Sequence, residues 1–463
     1  MTNPSKSISW LAKLVTLLIF ILSSCSKKTP QSGAPNVVLI VVDTLRADYL
    51  SEYGFALATS QGIKQLAASS KRFDRCYSTA PWTAPSCASI LTGLPPYVHR
   101  LQTHGGSLRQ DVTTVAELFE SAGWRTAAFS DNHNVSRETG FGQGFQLFED
   151  VEVKATEYPH CSDMLSRALE WAGEDRATPF FLYLQPMNCH GPYRVPLDKQ
   201  TSLLERRPAP GFIYGEGPWK QIMLDGNLEA RAMVTPEYLQ SLREQYSTAV
   251  RYTLDEVGAF LDRLDKEGLL KNTIVVLTAD HGEELYEHNG FGHGFSLLDE
   301  VTHVPLFIRM PKDLAPSSES TLVSLVDIMP TLCEVAGISI SEPIEGRSLL
   351  PAWSAGGLLD EGRILQHEVF WPRRCVGVST RNAEGKLSVV LQDYSTTKEY
   401  YTIDDGEPVS LSPTQGGSPN INHELGEYTL DFLKASTVRP AGASGETEKE
   451  KSVRKKLEAL GYF

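Results

Sequence analysis

NVVLIVVD, Asn36 to Asp43, is an unbroken apolar and β-branched run that stops at a carboxylate. A strand with one wet face would interleave polar residues, so an unbroken run suits a strand covered on both faces, as in a parallel sheet. The same grammar recurs along the chain. RTAAFS (Arg125 to Ser130) runs into Asp131, PFFLYLQP (Pro179 to Pro186) leads to Asn188 and His190, and NTIVVLTA (Asn272 to Ala279) ends at Asp280. Helical patterns lie between them: Leu66 to Ser70, Val112 to Ala122 closed by Gly123, and Glu237 to Gly268, whose apolar residues recur mostly at three- and four-residue steps. Strand then helix, repeated, predicts an α/β fold with a mostly parallel sheet sandwiched by helices. Such sheets bind ligands beyond the carboxyl ends of their strands, so Asp43, Asp131, His190 and Asp280 are expected on one rim.

Outward from this core the pattern changes twice. Leu197 to Thr235, rich in Pro, Gly, Arg and Trp, reads as a surface insertion near the rim, where substrate selection usually resides. Beyond Gly346, ILQHEVFW, CVGVST, KLSVVLQ and EYYTI are short strands separated by turn signals, which predicts a small antiparallel sheet. A polar segment, Pro440 to Lys451, then links to a last short helix, Ser452 to Leu460. The expected division is a leader at 1–24, a linker at 25–35, a catalytic domain at 36–346 and a smaller C-terminal subdomain with its tail at 347–463.

Lys6 and Lys13 flank or enter an apolar run, Leu14 to Leu22, shorter than the roughly 20 residues needed to span a bilayer. It reads as a signal peptide. Leu22-Ser23-Ser24-Cys25 resembles the bacterial lipobox, in which the Cys is acylated and becomes the first mature residue. The globular part is therefore expected to be exported to the bacterial cell envelope, outer membrane or periplasm, and held to the membrane through lipidated Cys25. With 41% hydrophobic and 22% charged residues the rest has an ordinary globular composition, and a formal net charge of −14 argues against nucleic acid as a partner. No CxxC pair occurs among the seven cysteines, which argues against a zinc ribbon and leaves disulfides open.

Two dense motifs carry chemistry. In APWTAPSCASILTG, Ala80 to Gly93, Pro85 suits the first turn of a helix that can run to Gly93, which places Thr83 at the helix mouth, facing free N–H groups. Thr83 is there either a helix cap or a residue that carries or receives an anionic group. The second motif is Asp280-His281-Gly282-Glu283, followed by Phe291-Gly292-His293-Gly294. Adjacent Asp280 and His281 can share one metal only where the backbone turns sharply, which Gly282 could supply. With Asp43 and the Thr83 oxygen they make a mixed oxygen and nitrogen set suited to one divalent cation, whether calcium, manganese, magnesium or zinc.

In this order VVLIVVDTLRAD, PWTAPSCASILTG, FLYLQPMNCHGPY, TIVVLTADHGE with GHG, and KEYYTIDDGEP resemble the sulfatase family of the alkaline phosphatase superfamily, over nearly all of the chain from Asn36 onward. The resemblance implies an alkaline-phosphatase-like sheet, Asp43, Asp280 and His281 as metal ligands, and Thr83 at the nucleophile position. It also implies that His190 and His293 lie near the transferred group, and that His133 matches the His of a substrate-binding motif, with the neighbouring Lys absent. Thr44 stands where many members have a second Asp. The main departure is Thr83-Ala84-Pro85-Ser86-Cys87 in place of C/S-x-P-x-R, so no formylglycine is expected.

A metal-bound Thr oxygen can still attack sulfur or phosphorus. The expectation is therefore an exported metal-dependent hydrolase of sulfate or phosphate esters, on a small molecule or glycan, with Thr83 as nucleophile and His190, His293 and His133 at the anion. Thr at this position is also what the related phosphoethanolamine transferases and nucleotide phosphodiesterases use, so a transferase acting on envelope glycan or lipid is an alternative. An inactive binder of anionic glycans is another. Other polar residues have plainer readings: Arg46 with Asp48 as a local pair, Asp299, Glu300 and His303 as a structural charge cluster, Glu283 as a support to the site, Glu284 as solvated, and His99 as either loop packing or site rim.

Overall fold

In the computed structural model the described residues are 30–410, apart from 103–104, 151–159, 200–210, 224–226, 312–315, 355–358, 360–361, 372–374, 382–384, 393–395 and 404–407. The leader, Cys25, the polar segment at 440–451 and the helix expected at 452–460 lie outside them.

The eight strands of the central sheet are β1 (Asn36–Val42), β2 (Lys71–Phe73), β3 (Arg125–Ser130), β4 (Leu147–Asp150), β5 (Phe180–Gln185), β6 (Thr273–Ala279), β7 (Leu306–Arg309) and β8 (Ser317–Glu319). Their spatial order is β8-β2-β7-β6-β1-β5-β3-β4. β1 is central and parallel to both β5 and β6, β3 is parallel to β4 and β5, and only β7 runs antiparallel to its neighbours. Residues Val37 to Val42 of β1 are wholly buried, as the unbroken apolar run requires of a strand covered on both faces.

Four helices frame the sheet and its rim: α1 (Thr83–Thr92), α2 (Val115–Ser121), α3 (Cys161–Glu174) and α4 (Pro236–Lys266). α1 stops at Gly93, whose positive φ of 65° closes the last turn through a hydrogen bond to Ser89 O. α2 begins three residues later than the apolar pattern suggested. Thr114 and Glu117 form a reciprocal cap there, an arrangement more stable than extending the helix back through Thr113. The insertion contains short helices at Gly217–Met223 and Leu228–Met233.

The C-terminal strands β9 (Leu365–Trp371), β10 (Cys375–Arg381), β11 (Gly385–Gln392), β12 (Thr396–Ile403) and β13 (Pro408–Ser410) form a smaller, wholly antiparallel sheet in sequential order. It is fastened to the main body. The Glu368 N–H donates to Thr79 O at 2.8 Å, His367 Nδ1 donates to Ser78 O at 2.5 Å, and Arg381 pairs with Asp299. Cys76, Cys87, Cys161, Cys189 and Cys333 are buried free thiols, so the disulfides left open by their spacing do not form among them.

Candidate active site

Sheet register builds the site. Val42 lies opposite Ala279 in the parallel pair β1 and β6, so the next residues, Asp43 and Asp280, leave neighbouring strands at the same level. Both are fully buried. His281 follows, and one ligand atom from each of Asp43, Asp280 and His281 lies within 4.8 Å of the others. The His281 Nδ1–H donates to Gly282 O at 2.9 Å, which leaves Nε2 as the acceptor nitrogen, 3.6 Å from Asp280 and 3.9 Å from Asp43.

Burial and the nearby Asp43 push the Asp280 carboxyl well above its ordinary range, and burial with His293 close by holds the His281 imidazole well below its own. Asp43 Oδ1 has no hydrogen-bond partner among the described residues. Two buried carboxylates, one oxygen of them unsatisfied, and an imidazole lone pair form a donor set that a divalent cation would satisfy.

Gly282 serves this geometry differently from the expected sharp turn. Its backbone is outside the left-handed region, and what excludes a side chain is crowding: a Cβ would lie 2.1 Å from Glu300 O. The left-handed residue is Thr44, at φ 56°, directly after Asp43. Its N–H donates to Asp280 Oδ1 at 3.2 Å and its carbonyl accepts from Tyr246 at 2.6 Å, so helix α4 holds this uncommon conformation in place.

Thr83 is the first residue of α1, 3% exposed, with Oγ1 3.3 Å from His281 Nε2. Trp82 is the cap position, so Thr83 is not the N-cap of this helix. One turn on, Ser86 donates to Asp280 O at 2.5 Å, and Cys87 Sγ lies 3.9 Å from Asp280 Oδ2. Asn132, in the loop after β3, donates to Asp43 Oδ2 and, at a long 3.4 Å, to Thr83 Oγ1. Sequence reasoning passed over Asn132, although it stood next to His133 in the motif that departs from the family. His133 itself is exposed.

His190 and His293 complete the centre. The ring of His293 is 4.5 Å from that of His281 and 4.9 Å from that of His190, centroid to centroid. His190 Nδ1–H donates to Gly191 O at 2.7 Å, which leaves Nε2 for chemistry. Glu283, 1% exposed, places Oε1 3.6 Å from His293 Nδ1. Glu284, expected to be solvated, is buried instead. It accepts from Gly290 N at 2.9 Å, and its carboxyl is pushed up to about 7 by burial and by Glu300.

Other polar residues have structural roles. Arg46 pairs with Asp48 and Glu287, both at 2.7 Å. His99 is packed beneath α1: it accepts from Leu101 N at Nδ1 and donates from Nε2 towards Pro85 O at 3.1 Å, so it belongs to the loop packing and not to the rim. Asp299, Glu300 and His303 pair with Arg381, His288 and Asp74 O respectively.

Comparison with known proteins gives the family and the fold. The model of the Sulfatase family matches residues 35–338. An N-acetylglucosamine-6-O-sulfatase of Bacteroides thetaiotaomicron is 26% identical over 429 residues, which span 76% of this chain and 75% of that protein. Among solved structures, a putative sulfatase from the same bacterium superimposes with a TM-score of 0.70 at 20% identity, covering 87% of this chain and 93% of that one. A phosphonate monoester hydrolase from Silicibacter pomeroyi does so with a TM-score of 0.67 at 21% identity, covering 86% and 94%. With its motifs in family order and the family match spanning β1, α1, β6 and the Asp-His pair, this chain belongs to the sulfatase family of hydrolases.

Proposed function

We propose that the protein is an exported, lipid-anchored, metal-dependent hydrolase of sulfate or phosphate esters in which Thr83 is the attacking oxygen. The observation that carries this reading is the convergence of Thr83 Oγ1, 3.3 Å from His281 Nε2, on the buried Asp43, Asp280 and His281 set. Asp43, Asp280 and His281, with the Thr83 oxygen, would hold the cation; when bound it would lower the pKa of the hydroxyl and offset charge growing on the ester oxygens. The ion is one of calcium, manganese, magnesium or zinc.

The chain's own residues do the rest. Asn132 orients Thr83 and Asp43 together. As Thr83 Oγ1 bonds to sulfur or phosphorus its proton passes to Nε2 of His190, or to His293 beside it, the bond to the alcohol oxygen breaks, and that imidazolium returns the proton to the leaving oxygen. Water then attacks the Thr83 ester, releasing inorganic sulfate or phosphate and restoring the hydroxyl. The N-acetylglucosamine-6-O-sulfatase relative supports a sulfated glycan as the substrate class. The export reading rests on the charged start, short apolar run and Leu22-Ser23-Ser24-Cys25.

The test is turnover of aryl sulfate and aryl phosphate with release of the inorganic anion, elemental analysis for the metal, and mass spectrometry of the peptide around residue 83. Thr83→Ala should lower kcat by about a thousandfold or more, with the metal retained, whereas Thr83→Ser should keep part of the rate. Thr83 is expected to be unmodified in the resting protein and to be trapped as its sulfate or phosphate ester after substrate exposure. Near-normal turnover by Thr83→Ala would sink the scheme.

A further inference from the structure

Asp131 is the one rim carboxylate expected from the strand ends that the scheme above does not use. It follows β3 directly, its N–H donates to Gln185 O at 3.1 Å, and it is 3% exposed. Neither of its side-chain oxygens has a hydrogen-bond partner among the described residues. A buried carboxylate in that condition costs stability unless something completes it. The cation nearest to it in effect, Arg167, is already paired with Glu149 at 2.5 Å, and Asp163 opposes it with like charge. Burial pushes the Asp131 carboxyl up to about 7.

The side chain lines a small cavity of about 20 Å³ together with Met187, Asn188, His190 and Arg194. Asn188 is committed elsewhere: its oxygen accepts from Cys161 N at 3.0 Å and its amide donates to Arg194 O at 2.9 Å. The cavity exceeds the roughly 10–15 Å³ that one water needs, and a primary ammonium group is about the same size. A neutral hydroxyl would bring one donor to two unsatisfied oxygens. An ammonium brings three donors and the opposing charge. His190 lines this cavity and its ring also lies 4.9 Å from that of His293, which places the cavity beside the reacting centre, within reach of a substituent on the molecule being cleaved. A chain of net charge −14 repels an anionic ester at long range, and an ester that also carries an ammonium group is repelled less.

We infer that Asp131 and the cavity it lines with His190 form a subsite for a primary ammonium group on the ester substrate, making the preferred substrate zwitterionic. The inference rests on the ester-hydrolase reading of the site. An amino sugar and an aminoethyl headgroup both supply the group, and the test separates them.

Wild type and Asp131→Asn are compared on glucosamine 6-sulfate and 6-phosphate and on 2-aminoethyl sulfate and phosphate, each beside its N-acetyl derivative. Binding is read by ligand-induced thermal shift and, where turnover occurs, selectivity by kcat/KM. Wild type should favour the free amine over the N-acetyl form by about tenfold or more in one pair, and Asp131→Asn should reduce that ratio to about twofold or less. The pair that responds identifies the source. Without ligand, Asp131→Asn should melt at the same temperature as wild type or a few degrees higher, about what relief of an unpaired buried charge gives. The variant removes the charge and keeps the shape, so folding is expected. No amine preference in the wild type, an unchanged preference in the variant, or a lower melting temperature for the ligand-free variant overturns the subsite. Absence of aryl ester turnover with the amine-dependent thermal shift intact would overturn the hydrolase reading and leave the subsite standing.

Discussion

Asn132 illustrates how much of the centre depends on single atoms. One amide donates both to Asp43 and to Thr83, so it ties a proposed metal-site carboxylate to the proposed attacking hydroxyl. Asn132→Ala should lower metal affinity and kcat/KM by about 10–100-fold, as loss of outer support for a ligand does. Metal titration by calorimetry alongside steady-state kinetics would check this, and unchanged affinity would mean that Asn132 only fills space. His99 makes a different, pH-linked contribution. Burial holds its imidazole at about 3, below its ordinary 6.5, so the folded protein keeps it neutral where the unfolded chain would protonate it. The sign follows from linkage: the contribution is full above 6.5 and is lost as pH falls towards 3, at about 1.4 kcal/mol per pH unit. His99→Gln should therefore flatten the acid limb of a melting-temperature profile. An equally steep limb in the variant would assign the acid sensitivity elsewhere.

At the scale of elements, much of the architecture was legible. Unbroken apolar runs make a both-sides-buried strand hard to mistake, and the polar residue that ends each run marks the rim. The Asp43 and Asp280 pairing could be anticipated from strand ends, but its closeness comes from the β1 and β6 register, which no local pattern contains. Asn132 was hidden because a short loop carries no periodicity. Glu284 was misread because a charged residue two positions from Gly282 looks solvated, until the Gly290 backbone folds over it. Helix α4 shows a further long-range demand. Gly258 passes so close to the turn Gln61–Ile63 that a Cβ would lie 2.0 Å from Gly62 O. Gly258→Ala must push backbone from backbone and should destabilise by about 1–3 kcal/mol, read by denaturant unfolding. A change below about 0.5 kcal/mol would show that the contact relaxes freely.

For the whole molecule, the proposed leader with Cys25 and the folded body would have separate work. If Cys25 is the acylated anchor, Cys25→Ser should move the protein from the membrane fraction to soluble or unprocessed material while leaving the catalytic centre's chemistry intact. Fractionation of parent and variant in the native host checks it, and continued membrane association would end the lipobox reading. The two sheets, in contrast, are joined at a sensitive place. Strand β9 fixes Ser78 and Thr79 through His367 and Glu368, only a few residues before Trp82 and Thr83. That join imposes an order of events on a chain made from its N-terminus: β1 and α1 emerge early, yet the loop that aims Thr83 lacks its clasp until residues 365–371 have been synthesised. A chain ended before that point would carry every proposed metal ligand and the proposed nucleophile, with the loop before Thr83 held by Ser86, Ser89 and Thr302 but without the two carbonyl contacts from β9, so the last part of its support arrives late in biogenesis.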